Sequence, residues 1–342
     1  MSEFRKALET VFEKKSLGRE GAREAMAFLI SGEATDAQIG AFLGAMRTKG
    51  ATAEELAGFV EGMRRAAVKL EVSREPLIDT CGTGGDGMGS FNFSTAAAFV
   101  AAGAGVAVAK HGNRAVSSRS GSADVLEALG VPLDLPAEQA REALERHGFA
   151  FLFAPLYHPA MKHVGKPRKE LGVRTVFNLL GPLANPAGVR RQVVGIYDAA
   201  FAETYARVLG LLGAEAALVV HGEDGMDELT LAGKTTVHRL EGGKVSREEV
   251  SPEDVGLARA PAEALRGGSA QENAKKLEAV LRGEEKGPLR DGALFNAAAA
   301  LCVAGVANTI KEGVEEARKS VDSGGAARVL EALRGTRKEG AS

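Results

Sequence analysis

Five glycines fall within the eight positions from Gly82 to Gly89, directly behind the short apolar run Leu77-Ile78 and the polar pair Asp79-Thr80. Glycine at this density ends the strand that Leu77-Ile78 begins. It also lets the backbone take positive φ and lets a ligand reach the amide groups directly. Phe91-Asn92-Phe93-Ser94-Thr95 then opens an Ala-rich helix, with Ser94 or Thr95 expected as its N-cap. A helix that starts straight after a glycine loop presents unpaired N–H donors and the positive end of its dipole, a setting that suits phosphate. Gly103 and Gly105 stop the helix, and Val106 to Ala109 reads as a second buried strand. That strand runs into Lys110-His111-Gly112-Asn113-Arg114, expected to be a second, cationic loop. The order strand, glycine loop, helix, strand, cationic loop describes a βαβ unit built to hold anions.

The rest of the chain supports an α/β protein with a separate helical unit. Residues 1 to about 70 carry only helical periodicity: Phe4, Leu8, Val11 and Phe12 share a face, and Gly18-Arg19-Glu20 breaks that run. A second helix is predicted from Arg23 to Ile30 and a third from Ala37 to Lys49, capped by Thr35. Thr52 and Glu55 form a capping box for a fourth, extending to about Val68. Ile39, Phe42 and Met46 make an apolar face suited to a core or a dimer contact. From Leu77 onward strands alternate with helices, as in a parallel sheet with covering helices. Later strands are expected at 149–153, 192–197, 216–221 and 235–240, with the last closed by Gly242-Gly243. The basic section from His158 to Arg174 reads as irregular, with Pro167 placed in a first helical turn. The proline-rich segment after it reads as a connection between lobes. From Ala270 to Leu333 the pattern is mostly helical, and the tail from Arg334 is expected to fray.

Charge and cysteine usage remove several classes of function. A formal net charge of −2 leaves no excess of cations to displace the counterions of a polyanion, so nucleic-acid binding is not expected. Two cysteines, Cys81 and Cys302, cannot form a disulfide framework, and the expected compartment is the cytoplasm. The N-terminal segment is charged and amphipathic rather than signal-like, and no apolar run reaches bilayer length, so no membrane role is expected.

Gly82-Thr83-Gly84-Gly85-Asp86-Gly87 satisfies the dinucleotide pattern G-x-G-x-x-G, which requires an acid at the end of the next strand for the ribose hydroxyls. Lys110 occupies that position and prefers phosphate. The stretch is not a P-loop either, because Met88-Gly89 stands where Lys-Ser/Thr is needed. Lys110, His111 and Arg114, followed by hydroxyls from Ser117 to Ser122, suit a second anionic group such as pyrophosphate. Asp227-Glu228, in a glycine-containing loop behind a strand, can hold Mg²⁺ together with phosphate oxygens and water. Solvated surface acids are the alternative. Arg168 is either a solvent-facing arginine or a bidentate carboxylate ligand contributing roughly 1.5–3 kcal/mol. No nucleophile elbow and no zinc spacing occur.

Taken together, Asp79-Thr80-Cys81-Gly82-Thr83-Gly84-Gly85-Asp86, Asn92-Phe93-Ser94-Thr95, Lys110-His111-Gly112-Asn113-Arg114, Ser120-Gly121-Ser122-Ala123-Asp124, Arg168, Asn178-Leu179-Leu180-Gly181-Pro182 and Asp227-Glu228 resemble the anthranilate phosphoribosyltransferase family over essentially the whole chain. The resemblance implies a helical domain at 1–70, with a contribution from about 160–185, and an α/β domain with a mostly parallel sheet at 71–342. It implies a homodimer formed through the helical domain. It implies transfer of a phosphoribosyl group from phosphoribosyl pyrophosphate to the amine of anthranilate, a step of tryptophan synthesis. Donor-site residues would be Gly82, Gly85, Asp86, Ser90, Asn92, Phe93, Ser94, Thr95, Lys110, His111, Gly112, Asn113, Arg114, Ala115, Val116, Ser117, Ser118 and Ser122. Anthranilate would meet Gly82, Asn113 and Arg168, and two Mg²⁺ ions would be held by Ser94, Asp227 and Glu228. No side chain is assigned as a certain catalyst, and His111 is the candidate proton acceptor. A pyrimidine nucleoside phosphorylase is the nearest rival, and the acidic pair and a carboxylate-matched arginine argue against it.

Overall fold

The computed structural model describes residues 3–115 and 119–339. Four helices open the chain: α1 (Glu3–Phe12), α2 (Gly18–Ser31), α3 (Asp36–Lys49) and α4 (Ala53–Arg65). Two start where their capping boxes dictate, with Thr35 paired to Gln38 and Thr52 to Glu55. Helix α2 begins five residues before its expected start because Gly18, read as a breaker, instead begins the helix. Glu55 is fully buried inside the bundle, where it serves several donors at once. It accepts from Thr52 N at 2.9 Å, Leu17 N at 3.0 Å and Lys49 Nζ at 2.7 Å. Ile39, Phe42 and Met46 are buried within one chain and belong to the core.

The remainder builds β1 (Leu77–Gly82), α5 (Phe93–Gly103), β2 (Ala107–Gly112), α6 (Ser122–Ala128), α7 (Ala137–His147), β3 (Phe149–Phe153), α8 (Ala154–Tyr157), α9 (Lys162–Leu171), α10 (Phe177–Leu180), β4 (Arg191–Gly195), α11 (Ala202–Leu211) and β5 (Ala216–Gly222). The hairpin β6 (Thr235–Glu241) and β7 (Lys244–Val250) follows, and then α12 (Ala270–Leu281), α13 (Pro288–Ala304), α14 (Ile310–Asp322) and α15 (Gly325–Glu339). The seven strands form one sheet in the order β3-β2-β1-β4-β5-β6-β7. Strands β1 to β5 are parallel, and β6 and β7 add antiparallel edges. The order reverses at β1, flanked by β2 and β4, so β1 ends at the topological switch where open α/β sheets bind ligands.

Side-chain alternation along β1 splits the core into opposed faces. Ile78 packs with α5 and the C-terminal helices, in which α13 is buried almost all round. Cys81 faces the opposite side, in a cluster that runs without a break from Val194 and Val219 through Tyr205 of α11 into Phe59 and Phe42 of the bundle. The bundle therefore docks on one face of the sheet through α11. Val164 of α9 and Phe177, Leu179 and Leu180 of α10 are buried in the same cluster.

Three expectations need correction here, and one strand, β7, goes beyond them. The section from His158 to Arg174 is largely helical, with Pro167 inside α9 rather than in its first turn. Its apolar residue Val164 packs into the bundle core, and that packing outweighs the local cost of the proline. Helix α5 starts at Phe93 with Asn92 at the N-cap, so neither Ser94 nor Thr95 caps it. Strand β7 carries no sequence signal because most of its side chains are exposed and charged, leaving no hydrophobic alternation to detect. The C-terminal tail continues as α15 to Glu339, with Arg334 donating to Leu129 O at 2.6 Å and to Glu278 at 2.9 Å.

The Phe42 ring is completely buried, 5.7 Å from Phe4 and 6.1 Å edge-on from Phe59. We expect Phe42→Ala to destabilise the fold by about 3–5 kcal/mol, measured by urea denaturation, because the bundle cannot close over the missing ring.

Candidate active site

The glycine loop behind β1 uses its conformational freedom at Gly84, Gly85, Gly87 and Gly89, which have φ of +63°, +78°, +76° and +61°. Its ends are tied down. Thr83 N donates to Gly195 O at 2.9 Å, and the Thr83 hydroxyl accepts from Tyr197 N at 3.1 Å. Gly89 O accepts from Gly267 N at 2.9 Å, and Ser90 pairs with Arg266 in an isolated bridge. Arg174 reaches across from the segment after α9, donates to Gly85 O and lies 4.1 Å over the Tyr197 ring.

The acidic loop after β5 folds onto this one. Asp227 Oδ2 accepts from Gly84 N at 2.8 Å, and Glu228 Oε1 accepts from Ser94 N, in the first turn of α5, at 2.9 Å. Asp86 approaches from the loop, with its Oδ2 at 3.5 Å from Asp227 N. Two glycines make the approach possible. A Cβ on Gly82 would sit 2.6 Å from Asp227 Oδ2, and one on Gly195 only 1.4 Å from the Asp227 carbonyl oxygen. Gly195 carries no signal in the sequence, where it falls inside the strand expected at 192–197.

Asp227 and Glu228 are both buried. Burial pushes the Asp227 carboxyl up to about 7, and the nearby Asp86 carboxylate adds to the rise. Glu228 is driven well above the ordinary carboxylate range by burial and then by Asp227. Among the described residues its buried Oε2 has no hydrogen-bond partner. These groups fit a divalent cation, which would relieve the mutual repulsion and take the orphaned oxygen. Among the described residues no three His, Cys, Asp or Glu side chains form a metal site by themselves. A cation here would complete its shell with ligand oxygens and water.

Lys110 and His111 are not on a loop. Strand β2 continues through them to Gly112, so they point to opposite faces of the sheet. Lys110 lies buried beneath the start of α5, with Nζ 2.5 Å from Thr80 O and 3.5 Å from Ser94 Oγ. Burial lowers its pKa, opposed by Asp79. Asp79, also fully buried, is raised to about 6 by desolvation against the attraction of Lys110, and it accepts from His111 N and Asn185 Nδ2. His111 turns toward the bundle side, where Nδ1 lies 3.2 Å from Gly181 O. Burial, with His158 adding to it, pulls the His111 pKa down to about 3, so its ring is neutral. The His111 and His158 rings are 5.2 Å apart, and among the described residues the buried Nε2 of each has no partner.

The second loop is positioned from α6. Asp124 Oδ2 accepts from Ala115 N and Gly121 N, both at 2.9 Å. Asn113 Oδ1 accepts from Arg114 N at 2.8 Å, and Gly112 is needed because a Cβ would meet the Phe151 ring at 2.8 Å. The Ser122 hydroxyl accepts from Thr95 at 3.1 Å, joining the starts of α5 and α6. Arg114 is engaged by Asp124 and Glu127 and lies over Phe153, so its charge is already answered by α6. Phe93 is core, edge-on to Phe91 at 5.2 Å, and only its backbone belongs to the loop. Val116, Ser117 and Ser118 lie outside the described residues. Arg168, on α9, stacks over Phe177 at 4.8 Å, and burial lowers its pKa. Among the described residues it has no carboxylate partner, which leaves its fork open for one.

A small helical bundle joined to an α/β domain, with a glycine loop, a buried acidic pair and a buried lysine at the switch point of the sheet, defines a two-domain glycosyl transferase. Residues 5–67 match the profile of the glycosyl transferase family helical bundle domain, and residues 74–327 that of the glycosyl transferase family a/b domain. An anthranilate phosphoribosyltransferase from Symbiobacterium thermophilum is 54% identical over 327 residues, covering 96% of each chain. The enzyme of that name from Moorella thermoacetica is 54% identical over 317 residues, covering 93% of each. The crystal structure of anthranilate phosphoribosyltransferase from Thermus thermophilus superposes with a TM-score of 0.92 at 48% identity, covering 96% of this chain and 98% of that one. The Saccharomyces cerevisiae enzyme in complex with PRPP and Mg superposes at 0.90 with 30% identity over 98% of both chains. The chain belongs to the anthranilate phosphoribosyltransferase family.

A carboxyl held at about 7 in the native state, against an ordinary 3.8, contributes stability that is present below 3.8 and lost as the pH rises through 7. Asp227→Asn is therefore expected to raise the divalent-free Tm at pH 8 by about 2 °C or more, a gap that closes toward pH 4. Differential scanning calorimetry across that range checks it.

Proposed function

We propose that this protein transfers the phosphoribosyl group of 5-phosphoribosyl 1-pyrophosphate to the amine of anthranilate, releasing pyrophosphate, in tryptophan biosynthesis. The observation that carries the reading is the pair of buried carboxylates, with Glu228 Oε2 unpartnered, folded against the glycine loop at the end of β1. The glycine loop, the first turn of α5 and the loop from Asn113 to Ser122 hold the donor's diphosphate and ribose phosphate through backbone N–H groups and hydroxyls. Lys110, fixed under α5, adds a buried positive charge below the same turn. Ser94, Asp227 and Glu228 hold Mg²⁺, two ions per subunit, which when bound neutralise the charge that leaves with pyrophosphate.

Arg168, with no acid partner among the described residues, pairs with the anthranilate carboxylate, while Asn113 and the Gly82 backbone orient the ring and amine. The aromatic amine is neutral near pH 7 and attacks the anomeric carbon as pyrophosphate departs from the opposite face. Catalysis is then mostly positioning and charge stabilisation, and no strong base is needed. His111 is the candidate to receive the amine proton: among the described residues its Nε2 has no partner, but burial makes it a weak base, so its contribution is small and His111→Ala leaves the pH–rate profile nearly unchanged. We read the chain as a bundle domain at 1–70, extended by about 160–185, and an α/β domain at 71–342. Two copies of the chain form a homodimer through the bundle, on which Phe12 of α1 is 58% exposed. No helix among the described residues is long and apolar enough to cross a membrane.

A coupled assay with anthranilate, phosphoribosyl pyrophosphate and Mg²⁺ tests the reaction: anthranilate fluorescence must fall only when all three are present. Retention of the signal in the complete mixture rejects it. Arg168→Ala is expected to raise the anthranilate KM roughly 10- to 100-fold, the equivalent of one charge-assisted pair, with a far smaller change for the donor. Equal effects on both substrates, measured by steady-state kinetics, contradict the role of Arg168.

A further inference from the structure

We infer that Asn273, a residue of α12 outside the acidic and anion-binding loops, is a positioning residue that sets the separation of the two donor-phosphate loops; the inference rests on the donor site proposed above. Asn273 is 1% exposed, and its amide engages three partners. Its Oδ1 accepts from Gly268 N at 2.7 Å. Its Nδ2 donates to Asn92 Oδ1 and to Ser120 Oγ, each at 2.9 Å. Asn92 is the N-cap of α5, where the glycine loop ends, and Ser120 closes the second loop just before α6. One buried side chain therefore touches the ends of both anion loops.

The backbone around Asn273 strengthens the clamp. Residues 265–267 run alongside the far end of the glycine loop, with Phe91 N donating to Leu265 O at 2.9 Å and Gly267 N to Gly89 O at 2.9 Å. A Cβ on Gly267 would stand 2.7 Å from Ser90 O and 2.8 Å from Asn273 Nδ2, so the strap sits against both. Ser120 Oγ also donates to Asn92 Oδ1 at 3.4 Å, closing a ring of three side chains, and Asn92 Nδ2 donates to the Ser120 backbone carbonyl at 3.3 Å. A side chain here must donate twice on one side and accept once on the other. Only a neutral primary amide on a short stem does so, because an aspartate lacks the donors and an alanine lacks everything. Asn273 and Ser120 are buried and Asn92 partly so, so water only partly replaces a lost bond and Gly268 N loses its acceptor. Two loops that must grip one diphosphate gain affinity from being held at the right spacing before it arrives.

The test uses the full-length protein with Asn273→Asp and Asn273→Ala. Both are expected to raise the KM for phosphoribosyl pyrophosphate by about tenfold or more, on the order of one buried hydrogen-bond loss, with the anthranilate KM changed less than about twofold. Magnesium pyrophosphate titrated calorimetrically in the absence of anthranilate should weaken by a similar factor. A normal donor KM in Asn273→Ala alongside a raised one in Asn273→Asp makes the effect one of added charge and overturns positioning. Parallel loss for both substrates, or a fall in kcat alone, also overturns it. Should the Asn273 variants fail to fold, Ser120→Ala, which removes one of the two loop anchors, must show the same donor-selective rise, and an unchanged donor KM there rejects the inference. Wild-type turnover measured beside them separates this outcome from failure of the proposed reaction.

Discussion

Two buried carboxylates facing two backbone amides hold the functional end of this protein together. Asp227 takes the N–H of Gly84, and Glu228 takes the N–H of Ser94, so the acidic loop after β5 is bonded to both the glycine loop and the first turn of α5. Buried acids need donors or a cation. Burial and then a neighbouring acid hold both high in pKa, and the amide each accepts from offsets that only in part. The site is held in a state that a cation and its phosphate ligands would relax. Every neighbouring feature accommodates that arrangement, from the missing side chains at Gly82 and Gly195 to the Lys110 ammonium below α5.

The segment between the two lobes is held just as firmly, by its own carbonyl groups. Tyr205 donates to Leu179 O at 2.8 Å, His111 Nδ1 meets Gly181 O, Gln192 donates to Pro182 O at 2.9 Å and Arg64 to Leu183 O at 2.6 Å. Asn185 completes the series by bonding both Asp79 and Ala109 O at 2.8 Å. These side chains come from helices and strands of both lobes, so the crossover is stapled to the sheet and to the bundle at once. A segment rich in glycine and proline is thereby rigid where its composition alone suggests looseness. The bond to Gly181 O orients His111, while α9, which carries Arg168, packs against the bundle through Val164.

Strand alternation separates roles that adjacency in sequence had merged. Lys110 and His111 are neighbours, yet β2 sends one beneath α5 and the other to the lobe junction. Lys110 is therefore a fixed charge under an anion-binding helix terminus, and His111 a neutral ring beside His158. Arg114, two residues past β2, is drawn to Asp124 and Glu127, so the cationic loop is less free than a count of its charges implies.

Much of this was legible in the chain itself, wherever a local rule suffices. Glycine density announced the loop at 82–89, capping boxes placed α3 and α4, periodicity separated the bundle from the α/β part, and Asp227-Glu228 stood out as an acidic pair behind a strand. Other features depend on partners distant in sequence. Gly195 matters because the Asp227 carbonyl lies against it, Asn273 because Asn92 and Ser120 come to it from 181 and 153 positions away, and Arg174 because Gly85 and Tyr197 converge on it. Helix α9 forms despite Pro167 because Val164 is buried in the bundle. Local stereochemistry and hydrophobic pattern thus decided which elements form and where the chemistry-bearing residues lie. Only three-dimensional packing decided which side chains are buried, paired or left without a partner, because desolvation and hydrogen bonding act between groups the linear chain keeps apart.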